Sequence, residues 1–316
     1  MAPRTWLITG SSSGFGREIA VAALERGDHV AATARRPAAL DDLVASAPDR
    51  VLAVPLDVTR TDQIDAAVAA AGERFGGVDV LVNNAGHGSV GAVEEIEMGD
   101  LRALMDTMFF GAVALSKAVL PQMRERRGGA IVQISSMGGQ ISPPGFGAYC
   151  SAKFALEAMS ESLATEVEPY GIRVVIVEPG SFRTEFGGGR MHYSRDSGFY
   201  TETAGENRAA IDGIDGTQPG DPRKAAAAIV EVLDAAQAPL RLALGDDAVD
   251  AIRAKHQRLR ADLDGWEEIS RATAIGRADA AAGRSLSRHP GDREDDAERH
   301  EQRKAGRQRD DDHPRA

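Results

Sequence analysis

Short apolar runs alternate with longer stretches of helical spacing along most of the chain. The runs at Arg4–Thr9, Val30–Ala34, Val51–Val58, Asp79–Val82, Ala130–Ile134, Ile172–Val177 and Leu240–Leu244 read as strands. They are continuously apolar, as expected of parallel strands covered on both faces. Between them, Arg17–Arg26, Asp62–Phe75, Asp100–Asp106, Phe109–Arg126, Ala148–Val167, Asp221–Ala236 and Asp246–Leu263 read as helices. This alternation predicts an α/β fold, a doubly wound parallel sheet with helices on both faces. A single domain is expected over residues 1–275, with no internal repeats.

The first strand runs into Gly10-Ser11-Ser12-Ser13-Gly14-Phe15-Gly16 and then a helix. Strand, glycine-rich turn and helix is the phosphate-binding arrangement of a Rossmann-type dinucleotide fold. Glycines let the backbone approach a pyrophosphate, and the free N–H groups at the helix start supply positive potential. A ligand-free structural turn is the alternative. After the second strand, Ala34 stands where an acid would grip ribose hydroxyls, and Arg35 and Arg36 follow. Arginine suits a 2′-phosphate, so NADP(H) is favoured over NAD(H). The competing reading makes both arginines solvated loop charges. Asp57, ending the third strand next to Val58, could accept a hydrogen bond from adenine.

Tyr149 and Lys153 lie four residues apart on a predicted helix and share a face. A cation beside a phenol favours the phenolate and brings it toward useful acid–base chemistry. Ser136, at the carboxyl end of a strand, could bond a substrate oxygen. By itself the tyrosine–lysine spacing also fits an ordinary helix surface. Residues 181–220 combine Phe182, Phe186, Gly187-Gly188-Gly189, Met191, Tyr193, Phe199 and Tyr200. They suit a hinged lid over a mostly apolar pocket with Met137, Ile141, Pro143, Pro144 and Phe146. A surface insertion is the alternative.

The net charge of −11, without a basic cluster in the body, makes nucleic acid and anionic membrane poor partners. One cysteine excludes an internal disulfide framework and points to a reducing cytoplasm. No apolar run reaches the ~18 residues of a membrane span. The histidines lack metal-type spacing, so no metal site is expected, and Cys150 is expected to face away from Tyr149. From Gly276 the composition turns to Arg, Asp, Glu, Gly and His, so 276–316 reads as a disordered charged tail.

Taken together, Thr9-Gly10-Ser11-Ser12-Ser13-Gly14-Phe15-Gly16, Asp57, Asn83-Asn84-Ala85-Gly86, Ser136, Tyr149 with Lys153, and Pro179-Gly180 with Thr184 resemble the short-chain dehydrogenase/reductases. The resemblance covers about residues 4–270 and points to the single-domain, NADP(H)-preferring branch, similar to members acting on hydroxysteroids, retinoids and other bulky apolar carbonyls. It implies Tyr149 as general acid/base, Ser136 positioning the carbonyl or hydroxyl, and Lys153 binding the nicotinamide ribose and lowering the pKa of Tyr149. It further implies cofactor contacts from Gly10, Ser12, Ser13, Gly14, Phe15, Gly16, Arg35, Asp57, Val58, Asn84, Ala85, Gly86, Tyr149, Lys153, Pro179, Gly180 and Thr184. A homodimer or homotetramer, paired through the helices near Phe109–Arg126 and Ala148–Val167, is implied as well.

One position departs from that pattern. The family usually carries asparagine three residues before a glycine in the helix preceding the Ser136 strand, and here Met108 stands before Gly111. Asparagine there supports a helix bend and a water linking the lysine to solvent; a thioether does neither well. The expected function is NADP(H)-dependent hydride transfer to or from the carbonyl or alcohol carbon of a small apolar substrate. The alternative is a nucleotide-binding sensor or partner-binding protein with weak catalysis.

Overall fold

The computed structural model describes residues 2–186, 191–214 and 216–275. The expected Gly187-Gly188-Gly189 hinge and the 276–316 tail lie outside them. Among the described residues, seven parallel strands form the main sheet: β1 Thr5–Ile8, β2 His29–Ala34, β3 Val51–Pro55, β4 Val80–Asn83, β6 Gly129–Ile134, β7 Ile172–Pro179 and β9 Arg241–Leu244. Their order is β3-β2-β1-β4-β6-β7-β9. The chain winds outward in one direction from β1 and in the other from β4, so a switch point opens between these two strands. Ligands bind at such a crevice, beyond the carboxyl ends of the strands. The predicted doubly wound parallel sheet is the fold observed.

Helices cover both faces because every central strand is buried on both. On one side Ile19, Ala20 and Ala23 of α1 (Gly14–Glu25) pack with Trp6, Ile8, Val30 and Val82, and with Ile229 and Leu233 of α8 (Pro222–Asp234). On the other, Ile64 and Ala67 of α3 (Thr61–Phe75) and Leu115, Val119 and Met123 of α5 (Gly111–Arg126) meet Leu7, Leu81 and Ile131. Short α2 (Asp41–Ser46) flanks β3, and α6 (Gly147–Val167) carries Tyr149 and Lys153.

Three local features differ from the sequence expectation. The helices expected at Asp100–Asp106 and Phe109–Arg126 are α4 (Met98–Met105) and α5, joined without a break by a π-helical turn at Asp106–Phe110. The continuous helix Met98–Arg126 is long and apolar enough to cross a membrane by length and composition, which corrects the expectation that no such stretch exists. Its Leu115, Val119 and Met123 lie in the protein core. Last, residues 88–90 (β5) and 191–193 (β8) pair as a small parallel sheet, and α7 (Glu206–Ile214) follows.

Among the described residues, those up to Lys255 form one compact unit and those from His256 belong to a second. The last helix, α9, spans Asp246–Ala272. Along its part in the second unit, Arg260 pairs with Asp264 at 3.6 Å and Arg271 with Glu267 at 2.6 Å.

Candidate active site

The carboxyl ends of β1 and β4 are tied together before any ligand is considered. Thr9 Oγ1 accepts from the backbone N–H groups of Asn84 and Ala85 at 2.8 and 2.9 Å. Asn84 Nδ2 donates back to Thr9 O at 2.8 Å. A Cβ at Gly16 would stand 2.5 Å from both Asn84 Nδ2 and Gly10 O, so only glycine fits there. Gly10 and Gly14 have φ of +68° and +56°, the left-handed region that glycine adopts without strain. The first turn of α1 carries no acidic residue, and Ser13 makes no side-chain cap. With Gly14 and Phe15 bordering the crevice, the start of α1 is suited to attract an anion there.

Ser136 sits just past β6, with its Oγ accepting from Gly138 N at 3.0 Å. Burial pushes the Tyr149 phenol well above its ordinary range, while the nearby Ser136 hydroxyl acts to lower it. Lys153 is buried, donates from Nζ to Ile134 O at 2.8 Å and lies 5.8 Å from the centre of the Tyr149 ring. Burial lowers its pKa to about 8, with Glu157 acting in the opposite direction. Burial dominates the phenol, and the group acting against it is Ser136, not the lysine of the sequence expectation.

Ser136, Tyr149 and Lys153 open onto one cavity of about 390 Å³, which Gly10, Ser13, Gly14, Phe15, Asn84, Ala85, Gly86, Pro179, Gly180 and Thr184 also line. Residues on four strand ends converge there. Asp247 fastens the far wall by accepting from Ser181 N at 2.7 Å. Thr184 closes over the glycine turn, its Cβ 3.4 Å from where a Cβ on Gly14 would lie. Of the other expected residues, Ser12, Gly16, Arg35, Asp57 and Val58 lie outside this lining. Arg35 is exposed, and Asp57 is held low chiefly by Thr59, with Arg35 contributing.

The remaining wall is mostly apolar, with Met108, Met137, Ile141, Pro143, Phe146, Phe186 and Met191, and Ala210, Ile211 and Ile214 from α7, broken by Glu185, Asn207 and Gln218. Phe186 meets the Tyr149 ring edge-on at 5.5 Å. Cys150, expected to face away, is buried and also borders the cavity; burial pushes its thiol up to about 11.

Residues 4–192 match the model of the short chain dehydrogenase family. The chain belongs to the short-chain dehydrogenases. It is 53% identical to a short-chain dehydrogenase from Streptomyces avermitilis of known structure, covering 86% of this chain and 99% of that one at a TM-score of 0.83. Oxidoreductase BOA17 of Botryotinia fuckeliana is 42% identical over 272 residues, 86% of this chain and 99% of the relative. A 3-ketodihydrosphingosine reductase of Bacteroides thetaiotaomicron is 39% identical over 254 residues, 78% of this chain and 89% of the relative.

Sequence reasoning missed two contributors to the site of this short-chain dehydrogenase. Ala210, Ile211 and Ile214 recur at helical spacing, a signal available in the chain but masked by the glycines around it. Glu157 follows Lys153 by four residues, as Lys153 follows Tyr149, and is buried. That repeated spacing was the available signal.

Proposed function

We propose that the protein is an NADP(H)-dependent oxidoreductase that interconverts an alcohol and a carbonyl on a bulky apolar substrate, with Tyr149 as general acid/base. The single observation that carries this reading is the convergence of Ser136, Tyr149 and Lys153 on the cavity that the glycine turn also borders. A nicotinamide dinucleotide fits that turn, because the cradle at Gly16 excludes a side chain and the start of α1 offers unpaired N–H groups. When bound, the cofactor supplies or takes the hydride. Ser136 donates its hydroxyl hydrogen to the substrate oxygen. Tyr149, kept protonated at neutral pH by burial, delivers its proton to the same oxygen. Lys153, as an ammonium, stabilises the phenolate left behind. A protonated resting tyrosine favours the reductive direction.

Three further features belong to this reading. Exposed Arg35 beside a strand ending in Ala34 supports NADP(H) over NAD(H). The apolar wall supports a large ketone or aldehyde, in keeping with the reductase of sphingoid ketones among the relatives. Outward-facing Phe110, Phe154 and Met159 support a homo-oligomer joined through α5 and α6. The test is a panel of apolar carbonyls and alcohols followed by NAD(P)H absorbance, with Tyr149→Phe as the blank. Turnover of at least one apolar carbonyl, abolished in that variant, is expected; turnover retained by Tyr149→Phe would overturn the assignment.

A further inference from the structure

The face of α6 that carries Tyr149 and Lys153 continues one turn further to Glu157, which the mechanism above does not use. Glu157 is 2% exposed, yet both its oxygens are engaged. Oε1 accepts from Ser135 Oγ at 2.5 Å. Oε2 accepts from Gln140 Nε2 at 2.6 Å and Arg241 Nη1 at 2.5 Å. A Cβ at Gly139 would collide with Oε1, so the backbone of that turn lies directly against the carboxylate. One side chain thereby fixes the Ser135 hydroxyl, the Gly139 backbone and the Gln140 amide, on both sides of Ser136.

The charge balance around Glu157 is uneven. Arg241, from β9, pairs with Glu157, with Glu178 from β7, and with Glu161 at 2.7 Å. One guanidinium therefore faces three carboxyl groups, and burial together with Glu157 raises the pKa of Glu178. Buried ion pairs cost about as much in desolvation as they return, so such a cluster is weak evidence of a stability role. Lys153, one turn away, feels the excess negative charge: Glu157 opposes the effect of burial on it. Lys153 also faces Tyr149 on its own helix, the Ile134 carbonyl from β6, and His87 from the turn after β4.

We propose that Glu157 is a positioning residue for the reaction: it fixes the Ser135–Gln140 segment that presents Ser136, and it supplies the counter-charge that keeps Lys153 protonated beside Tyr149. This rests on the reading of Ser136, Tyr149 and Lys153 as the acid–base site.

The experiment titrates Lys153 in the full chain by NMR with lysine labelled at Cε. The chain has five lysines, so Lys153→Met assigns the signal. Glu157→Gln is expected to lower the Lys153 midpoint by about one pH unit and to move the alkaline fall of kcat to lower pH by the same amount. The KM for NADPH should stay within about twofold, because the group lies off the nucleotide turn. Glu157→Asp keeps the charge and is expected to restore the midpoint but not all of kcat. Ser135→Ala, which removes one hydroxyl, is expected to lower kcat with the midpoint unmoved; it serves also if Glu157→Gln fails to fold. A role in stability alone would lower the melting temperature and leave midpoint and kcat profile in place, and that result overturns the proposal. The midpoint needs no substrate, so it is separate from the test of the catalytic reading, which fails only if Tyr149→Phe retains turnover.

Discussion

Met108 lies directly against Gly86: a Cβ on that glycine would stand 3.0 Å from the methionine Sδ and 3.2 Å from its Cγ. The thioether, 2% exposed, clusters with Leu104, Ala148, Tyr149 and Cys150 and occupies the π-helical turn between α4 and α5. A cavity of about 10 Å³ beside it is bordered by Asn83, Thr107 and Lys153, roughly the space of one water. An asparagine at 108 would bring an amide to this polar spot at the expense of apolar packing. Met108→Asn is expected to raise turnover about tenfold, part of the ~10²–10⁴ that acid–base catalysis is worth. It should cost roughly 1–3 kcal/mol of stability. Met108→Leu should change neither. Steady-state kinetics with one accepted ketone, run beside thermal melts, decides; unchanged turnover in the asparagine variant would show that proton transfer does not need the amide.

Lys153 links catalysis to a stability cost. Its pKa of about 8 in the fold compares with ~10.4 for an ordinary lysine in the unfolded chain. The unfolded state therefore binds the proton more tightly, and the buried ammonium is destabilising below about pH 8. As pH rises from there toward ~10.4, the folded protein has already released the proton, so this penalty is lifted. Lys153→Met should abolish turnover and gain roughly 1–3 kcal/mol at pH 7, a gain that shrinks by pH 10. Melting curves at the two pH values test this, and a lower melting temperature at pH 7 would mean that the Ile134 hydrogen bond outweighs burial.

The sheet was legible because its strands are continuous apolar runs, and the crevice because a glycine turn follows the first of them. Strand ends and i, i+4 spacing made Ser136, Tyr149 and Lys153 candidates, but the spacing alone also fits a helix surface, and their roles came from the joint resemblance of the motifs along the chain. The π-helical turn at Asp106–Phe110 was not legible, since one widened turn hardly disturbs the side-chain pattern. The pairing of β5 with β8 involves three residues on each side, too few for any periodicity to register. Glu157 was overlooked because a carboxylate in a helix reads as a solvated one. Its burial depends on Arg241, 84 positions away in the chain.

Arg35 offers the sharpest handle on the cofactor. It is exposed, close enough to Asp57 to help hold that carboxyl below its usual range, and follows buried Ala34 at the end of β2. Losing a charge-assisted phosphate contact costs ~1.5–3 kcal/mol, so Arg35→Ala should weaken NADPH about ten- to a hundredfold. NADH affinity should be nearly unaffected. Fluorescence titration of wild type and variant with both nucleotides is the check, and equal wild-type affinities would refute the preference.

Phe154 and Met159 on α6 are 42% and 45% exposed, and Phe110 at the π-helical turn 56%. A pair of copies meeting through α5 and α6 would cover this surface. Phe154→Asp places a charge in the expected contact, so the assembly should dissociate to monomers at micromolar concentration while each monomer keeps its melting transition. Sedimentation velocity distinguishes the states; a wild type already monomeric would remove the premise.

Phe186 tests the substrate side of the site. It lies on the segment after β7, meets Tyr149 edge-on at 5.5 Å, and borders the cavity with Met191. Met191 is fixed by strand pairing opposite Gly88, where a Cβ would stand 3.3 Å from the Phe186 ring. The ring therefore does two things: it covers the phenol and it offers an apolar face to substrate. An edge-to-face pair is worth ~0.5–1.5 kcal/mol beyond the area it buries. If that contact serves substrate binding, Phe186→Ala should raise the KM of a large apolar ketone roughly tenfold and that of a small one by less than twofold. If it mainly keeps water from Tyr149, kcat should fall equally for both substrates, with the tyrosine less buried and its pKa lower. The apolar wall that Phe186 shares with Ile211 and Ile214 favours the first outcome. Measuring kcat and KM for one large and one small ketone separates the two roles, and an equal loss of kcat for both would reject the substrate-binding role.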